Sequence, residues 1–177
     1  MNLRTLVLNA LALTCACASV PMAPPDADLA AKKFEPPAGH ANLYVYRNET
    51  FGSAIRLSVL LDEMQLGSTA AKTYLYAPIS PGKHRLVSKA ENDSSLELDV
   101  EPGKNYFLWQ EVKMGVWSAR SLLQQVDDQR GKEGVLECQM GVTNTPIARP
   151  AVYECGKDTD CKGTRVCDRG ACVDARN

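Results

Sequence analysis

Ala41-Asn42-Leu43-Tyr44-Val45-Tyr46-Arg47 places Leu43, Val45 and Arg47 on one side of an extended chain and Tyr44 and Tyr46 on the other. Successive side chains of a strand point to opposite faces, so this alternation reads as a β-strand with its rings on a shared side. The same period runs outward from it. Ile55, Leu57, Val59 and Leu61 alternate with Arg56 and Ser58; Asp62-Glu63 turn the chain, and residues 64–66 return before Gly67. Tyr74, Leu75, Tyr76 and Ala77 form the next run, Leu86, Val87 and Ser88 follow His84, and Leu96, Leu98 and Val100 alternate with Ser95, Glu97 and Asp99. Residues 106–111 are the most aromatic run and 118–126 offer one more strand. Pro81-Gly82 and Pro102-Gly103 separate these runs and suit type II turns, in which Gly supplies the positive φ.

Short strands at this spacing predict a mainly β fold, an antiparallel β-sandwich or small barrel. A short C-terminal helix is expected within residues 127–140, and a small disulfide-rich tail follows the body. The predicted organisation is a signal peptide over 1–16 and a lipid-anchored Pro/Ala-rich tether over 17–38. The β-sandwich then occupies 39–140, a linker 141–153 and a cysteine-rich module 154–174. Pro21, Pro24, Pro25, Pro36 and Pro37 motivate the tether, although residues 26–33 leave room for a turn or two of helix.

The amino terminus sets the compartment. Arg4 is a basic head, residues 6–16 are a short apolar run containing Asn9, and Thr14-Cys15-Ala16-Cys17-Ala18-Ser19 closes it. The run falls short of the ~20 residues that span a bilayer, so it reads as an export signal. Ala16 and Ala18 suit general cleavage before Ser19, whereas Thr14-Cys15-Ala16 before Cys17 suits lipoprotein processing with Thr14 where Leu would fit better. The reading adopted is Cys17 as the lipid-attachment residue; simple secretion to the periplasm or outside is the alternative. Several acyl chains hold a protein on a membrane where one holds it marginally. The absence of Asp after Cys17 resembles bacterial outer-membrane sorting, so the expected location is the periplasmic face of the outer membrane or the cell surface.

A net charge of −1 with interspersed signs argues against nucleic acid as a partner and against a polybasic membrane patch. The 45% hydrophobic content is enough for a core, although the export signal inflates it. His40 and His84 are the only histidines, and neither HExxH nor Gly-x-Ser-x-Gly is present. Glu91, Asp93, Asp99 and Glu101 surround a solvent-facing strand, which leaves a carboxylate-based envelope hydrolase as the third reading. No catalytic residue, metal or cofactor is expected, and the protein is read as not an enzyme. Tyr44, Tyr46, Tyr74 and Tyr76 are the candidate binding residues. Exposed together, they would stack on glycan or peptidoglycan; otherwise they pack within or against the sheet.

Cys155, Cys161, Cys167 and Cys172 lie at spacings C-x5-C-x5-C-x4-C. In an exported chain an even, dense set reads as a disulfide framework, with three pairings open. Zinc would favour C-x2-C pairs and a reducing compartment. Asp158 and Asp160 read as a solvated turn between cysteines rather than a Ca²⁺ site. Cys138 reads as a small buried hydrophobe at the end of the body, with pairing to the tail or another chain left open.

The opening strand at 41–47, Leu61-Asp62-Glu63 through Leu66-Gly67, Pro81-Gly82-Lys83-His84, Gly103-Lys104-Asn105-Tyr106-Phe107 and Gln110-Glu111-Val112-Lys113-Met114-Gly115 resemble, in order, the bacterial envelope family built on domain of unknown function 2846. The resemblance covers about residues 35–140 and consists of turns and strand edges, which specify a fold more than a chemistry. It implies a lipoprotein signal and carries no catalytic residues. The tail, Cys155-Gly156-Lys157-Asp158-Thr159-Asp160-Cys161 with Arg165-Val166-Cys167-Asp168-Arg169-Gly170-Ala171-Cys172-Val173, is similar to the amino-terminal cysteine-rich region of Dickkopf proteins, which implies a contact module.

Overall fold

The computed structural model describes residues 18–115, 119–144, 161, 165–168 and 171–174. Eight strands build the body: β1 (Ala41–Arg47), β2 (Leu57–Leu61), β3 (Met64–Thr69), β4 (Thr73–Ile79), β5 (Gly82–Lys89), β6 (Asp93–Val100), β7 (Asn105–Met114) and β8 (Ala119–Val126). Helix α1 (Pro25–Ala31) precedes them; α2 (Asp128–Leu136) and the two-residue β9 (Gln139–Met140) follow. Strands β10 (Arg165–Asp168) and β11 (Ala171–Asp174) form a separate antiparallel hairpin that sets Cys167 opposite Cys172.

One sheet has the order β8-β7-β1-β4-β9 and the other β3-β2-β5-β6, so the body is a sandwich and no barrel closes. The alternation read from sequence sets the faces. Leu43, Val45, Leu75, Ala77, Tyr106 and Leu108 point inward from the five-stranded sheet onto Val59, Leu61, Leu66, Leu86, Leu98 and Val100. The mainly β sandwich is as expected, and most of its pairings are antiparallel; two are parallel, β1 with β7 and β4 with β9. Turn signals between neighbouring runs reveal hairpins, whereas β1 and β7 are brought together from distant parts of the chain. Gln110 lies in phase with the inward apolar residues of β7. It is accommodated because its Nε2 donates to Ser88 Oγ at 2.6 Å, its Oε1 accepts from Thr69, and Ser88 meets Ser121 at 2.5 Å. A buried amide so satisfied joins the sheets without an orphaned dipole.

The Pro-rich segment expected as a tether is instead part of the body. Ala18 N–H donates to Ser53 O at 2.8 Å, and Ala23 N–H donates to Met140 O at 2.9 Å. Pro25 opens α1, where its missing N–H would be unpaired in any case. Asp28 then docks the helix: its Oδ1 accepts from Tyr74 OH at 2.9 Å and Met140 N–H at 3.0 Å, and its Oδ2 from Lys32 at 2.8 Å. The expected linker also begins late, because Gly141, Val142 and Asn144 donate to Tyr74, Pro21 and Leu66 carbonyls, all at 2.8 Å.

Burial pushes the Asp28 carboxyl up, but the bonds from Lys32, Tyr74 and Met140 outweigh it and hold the group below the usual carboxylate range. A depressed folded value means that its stabilising contribution is complete above the unfolded value of ~3.9 and drains away as pH falls through the folded one. Asp28→Asn should therefore lower stability by ~1–2 kcal/mol at neutral pH, and its denaturant midpoint should converge with that of the parent in acid. Denaturation series at pH 7 and pH 3 measure both effects.

Register fixes two ends. At one, β1 and β7 begin and β4 ends; at the other β1 ends at Arg47 beside Thr73. The nine-residue stretch between β1 and β2 belongs to the Arg47 end, as do the β7–β8 connection and the carboxyl end of α2, where Glu137 meets Lys72 at 2.9 Å.

Candidate functional site

The candidate cleft lies at the Ala41 end, about 470 Å³ in volume, between the β2–β3 turn and the adjoining ends of β5 and β6. Asp62 and Glu63 both adopt left-handed backbone, at φ +49 and +69. That matches the twist of a two-residue hairpin turn and strains the glutamate more than the aspartate. The turn folds onto β5: Asp62 N–H donates to Arg85 O and Arg85 N–H donates to Asp62 Oδ1, each at 2.9 Å. The second carboxylate oxygen lies 2.6 Å from His84 Nδ1, and His84 Nε2 lies 2.8 Å from Ser80 O.

Both ring nitrogens therefore face acceptors. Only an imidazolium donates to both at once, and while it does so it has no free lone pair with which to accept a proton. Burial raises the Asp62 carboxyl, yet the Arg85 N–H and His84 outweigh it and leave it below the ordinary range. Lys83 and Arg85 lie opposite Asp99 and Glu97 in the register, so the cleft wall carries facing charges of both signs. The arrangement is a clasp that ties a strained turn to the sheet. His84→Ala is expected to raise the Asp62 titration toward that of a free aspartate, followed by carboxyl NMR. Stability should fall by no more than ~1 kcal/mol, because the Asp62 side chain is 42% exposed.

The tyrosines share one face, as their spacing required: Tyr44 is opposite Tyr76 and Tyr46 opposite Tyr74. That face is not the exposed binding strip entertained above. Tyr44 and Tyr74 are fully buried, Tyr46 nearly so and Tyr76 partly, in a second core with Ala31, Phe107, Val135, Cys138 and Met140. Tyr44 stacks on Phe107 with centroids 4.9 Å apart and donates to Ala31 O at 2.7 Å, and Tyr76 donates to Asn42 Oδ1 at 3.0 Å. Burial pushes the Tyr44 and Tyr74 hydroxyls well above their usual range. With α1 and α2 packed over this face, Tyr44, Tyr46 and Tyr74 present no exposed ring, while Tyr76 is partly covered. Trp109, at the edge of this core, has the Arg130 guanidinium 4.8 Å from its ring centroid.

Cys138 is a free thiol, 2% exposed and pushed by burial up to about 12, which fits the reading as a small buried hydrophobe. Cys17 and Cys155 lie outside the described residues, as do Asp158 and Asp160. Sequence reasoning missed the Asp62–His84 pair, although each residue sat in a recognised turn. A strand-pairing hypothesis for β2 and β5 would have brought the two turns together.

A known relative and a family both match. An uncharacterized protein of Haemophilus influenzae (strain KW20 / Rd) is 33% identical over 143 residues, covering 80% of this chain and 85% of the relative. The family described as "Protein of unknown function (DUF2846)" matches residues 37–121. The chain belongs to the DUF2846 family. The matched span of DUF2846 runs from just before β1 into β8, so it contains both faces of the central strand and the Asp62–His84 clasp. Helix α1, which roofs the tyrosines, falls outside that span, as does α2.

Proposed function

We propose that this DUF2846 protein is a lipid-anchored, non-enzymatic cell-envelope protein, attached through Cys17, whose β-sandwich serves an interaction or structural role. The observation that carries the reading is the bond from Ala18 N–H to Ser53 O. General cleavage before Ser19 would remove Ala18 and this bond, whereas processing at Cys17 keeps it. The acyl chains would then sit immediately beside the folded body, at the periplasmic face of the outer membrane or the cell surface. Secretion is the outcome if Cys17 is not retained.

The non-enzymatic reading is supported by the Asp62–His84 clasp, whose polar atoms are engaged with Ser80 and Arg85. The partner is proposed to be another envelope protein rather than glycan, since the tyrosine rings lie beneath helices. The cysteine-rich tail is proposed to be an oxidised contact module akin to the Dickkopf amino-terminal region. Cys161 is disulfide-bonded and Cys167 stands opposite Cys172, which supports that reading.

Intact mass spectrometry of membrane-extracted protein tests these points together. A mature chain starting at Cys17 with acyl mass and four tail cysteines oxidised is expected. A chain starting at Ser19 without added mass would sink the anchor, and free tail thiols would sink the module.

A further inference from the structure

We propose that the Arg47 end of the sandwich is a membrane-docking surface, resting on the headgroup and upper acyl region of a phospholipid bilayer. The inference rests on the lipid-anchor reading and goes beyond it, because an anchor alone leaves a protein free to stand off on a tether. Here the tether is absent. Ala18 is bonded to Ser53 at 2.8 Å, and Cys17 is its immediate neighbour in the sequence. Acyl chains on Cys17 enter the hydrocarbon, so the surface around Ser53 is brought to the headgroups.

That surface has the composition such a position demands. Phe51 is 50% exposed, Leu136 57% and Met114 79%, and each belongs to a connection or element end on the Arg47 side. The loop that presents Phe51 is stiff: Arg47 Nη2 donates to Phe51 O at 2.8 Å and to Gly52 O at 2.6 Å, and Nη1 to Ile55 O at 2.8 Å. A side chain held on a rigid loop loses little freedom on insertion. Of the charges near this end, Lys72 pairs with Glu137, Lys89 with Asp93 and Lys113 with Glu111, while Arg56 on the loop is exposed as a single cation and makes no basic cluster. Docking therefore depends on apolar contact and not on a basic patch, and it should persist in high salt. At the opposite end the exposed large hydrophobics of the described residues include only Met64, and the Asp62–His84 cleft opens there, ~20 Å along β1 from the membrane side. The proposed orientation thus presents the cleft to the periplasm or exterior.

Hydrogen–deuterium exchange of the acylated full chain on phosphatidylethanolamine/phosphatidylglycerol vesicles, against its Cys17→Ser counterpart in solution, tests this. Residues 48–56 and 70–72 should exchange about fivefold more slowly on vesicles, with the 62–63, 80–82 and 101–104 turns unchanged. Phe51→Ser on the acylated chain should remove most of that protection, and 1 M salt should not. Intact mass of the same sample separates the two claims. Acyl mass with no protection at 48–56, or with equal protection at both ends, overturns the docking surface and leaves the anchor standing. Absence of acyl mass overturns both.

Discussion

Replacing Gly131 and Gly134 together by Ala is expected to unseat α2 and destabilise the protein by ~4 kcal/mol or more. Helix propensity argues the other way, since each Gly→Ala change in a helix interior gains ~1 kcal/mol. Packing decides the sign. A Cβ at Gly131 would stand 2.1 Å from Phe107 Cγ and 2.3 Å from Phe107 Cβ, and one at Gly134 would stand 2.2 Å from Tyr46 Cε2. Neither ring has room to retreat, with Phe107 1% and Tyr46 2% exposed. Asp127 caps the helix by accepting from Arg130 N–H at 2.9 Å, so α2 would remain a formed helix that no longer fits its seat. Cys138 directly follows the cap residue Glu137, and its buried thiol should become reactive as the helix lifts. Denaturant unfolding and peptide-resolved thiol labelling check both effects. A double variant as stable as its parent, with Cys138 still protected, would show that the glycines are not what seats α2.

Arg47→Ala should cost ~3–5 kcal/mol, because it removes the guanidinium donors to the Phe51 and Ile55 carbonyls, takes one of two donors from Gly52 O, and leaves a void at a fully buried position. Burial lowers the guanidinium's affinity for its proton and nearby Glu49 offsets that only in part, yet a guanidinium is basic enough to stay charged. Glu49 is itself engaged, accepting from Val112 N–H at 2.6 Å. Arg47→Lys should recover little, since a single ammonium cannot reproduce the planar fork that reaches both sides of the loop. The loss should appear first as fast amide exchange over residues 48–56 and only then as a lower unfolding midpoint. Exchange unchanged in Arg47→Ala would mean that the loop holds itself.

Much of the body was legible because strand periodicity is local. Leu43 and Val45 facing one way and Tyr44 and Tyr46 the other follow from the pleat alone, and the Pro-Gly turns fall where the strands stop; Gly103 takes φ +76. The short helix expected within residues 127–140 forms as α2, capped at its start by Asp127. Arg47, by contrast, continues the alternation as if it were a surface residue at a strand end. Its burial depends on loop carbonyls that fold back over it. The Pro-rich segment read as a tether because proline discourages long helices, yet one short helix at Pro25 was sufficient once Asp28 found Tyr74 and Met140.

From the linear chain came the strands, their faces and the turns, since each depends on bonds and sterics within a few residues. What covers the tyrosine face, which strands run parallel, and that Asp62 meets His84 were decided by tertiary structure. Those outcomes turn on which distant segments share a volume. Glycine at 131 and 134 makes the point physically: in sequence it weakens a helix, and only the rings of Phe107 and Tyr46 beneath it explain why nothing larger fits.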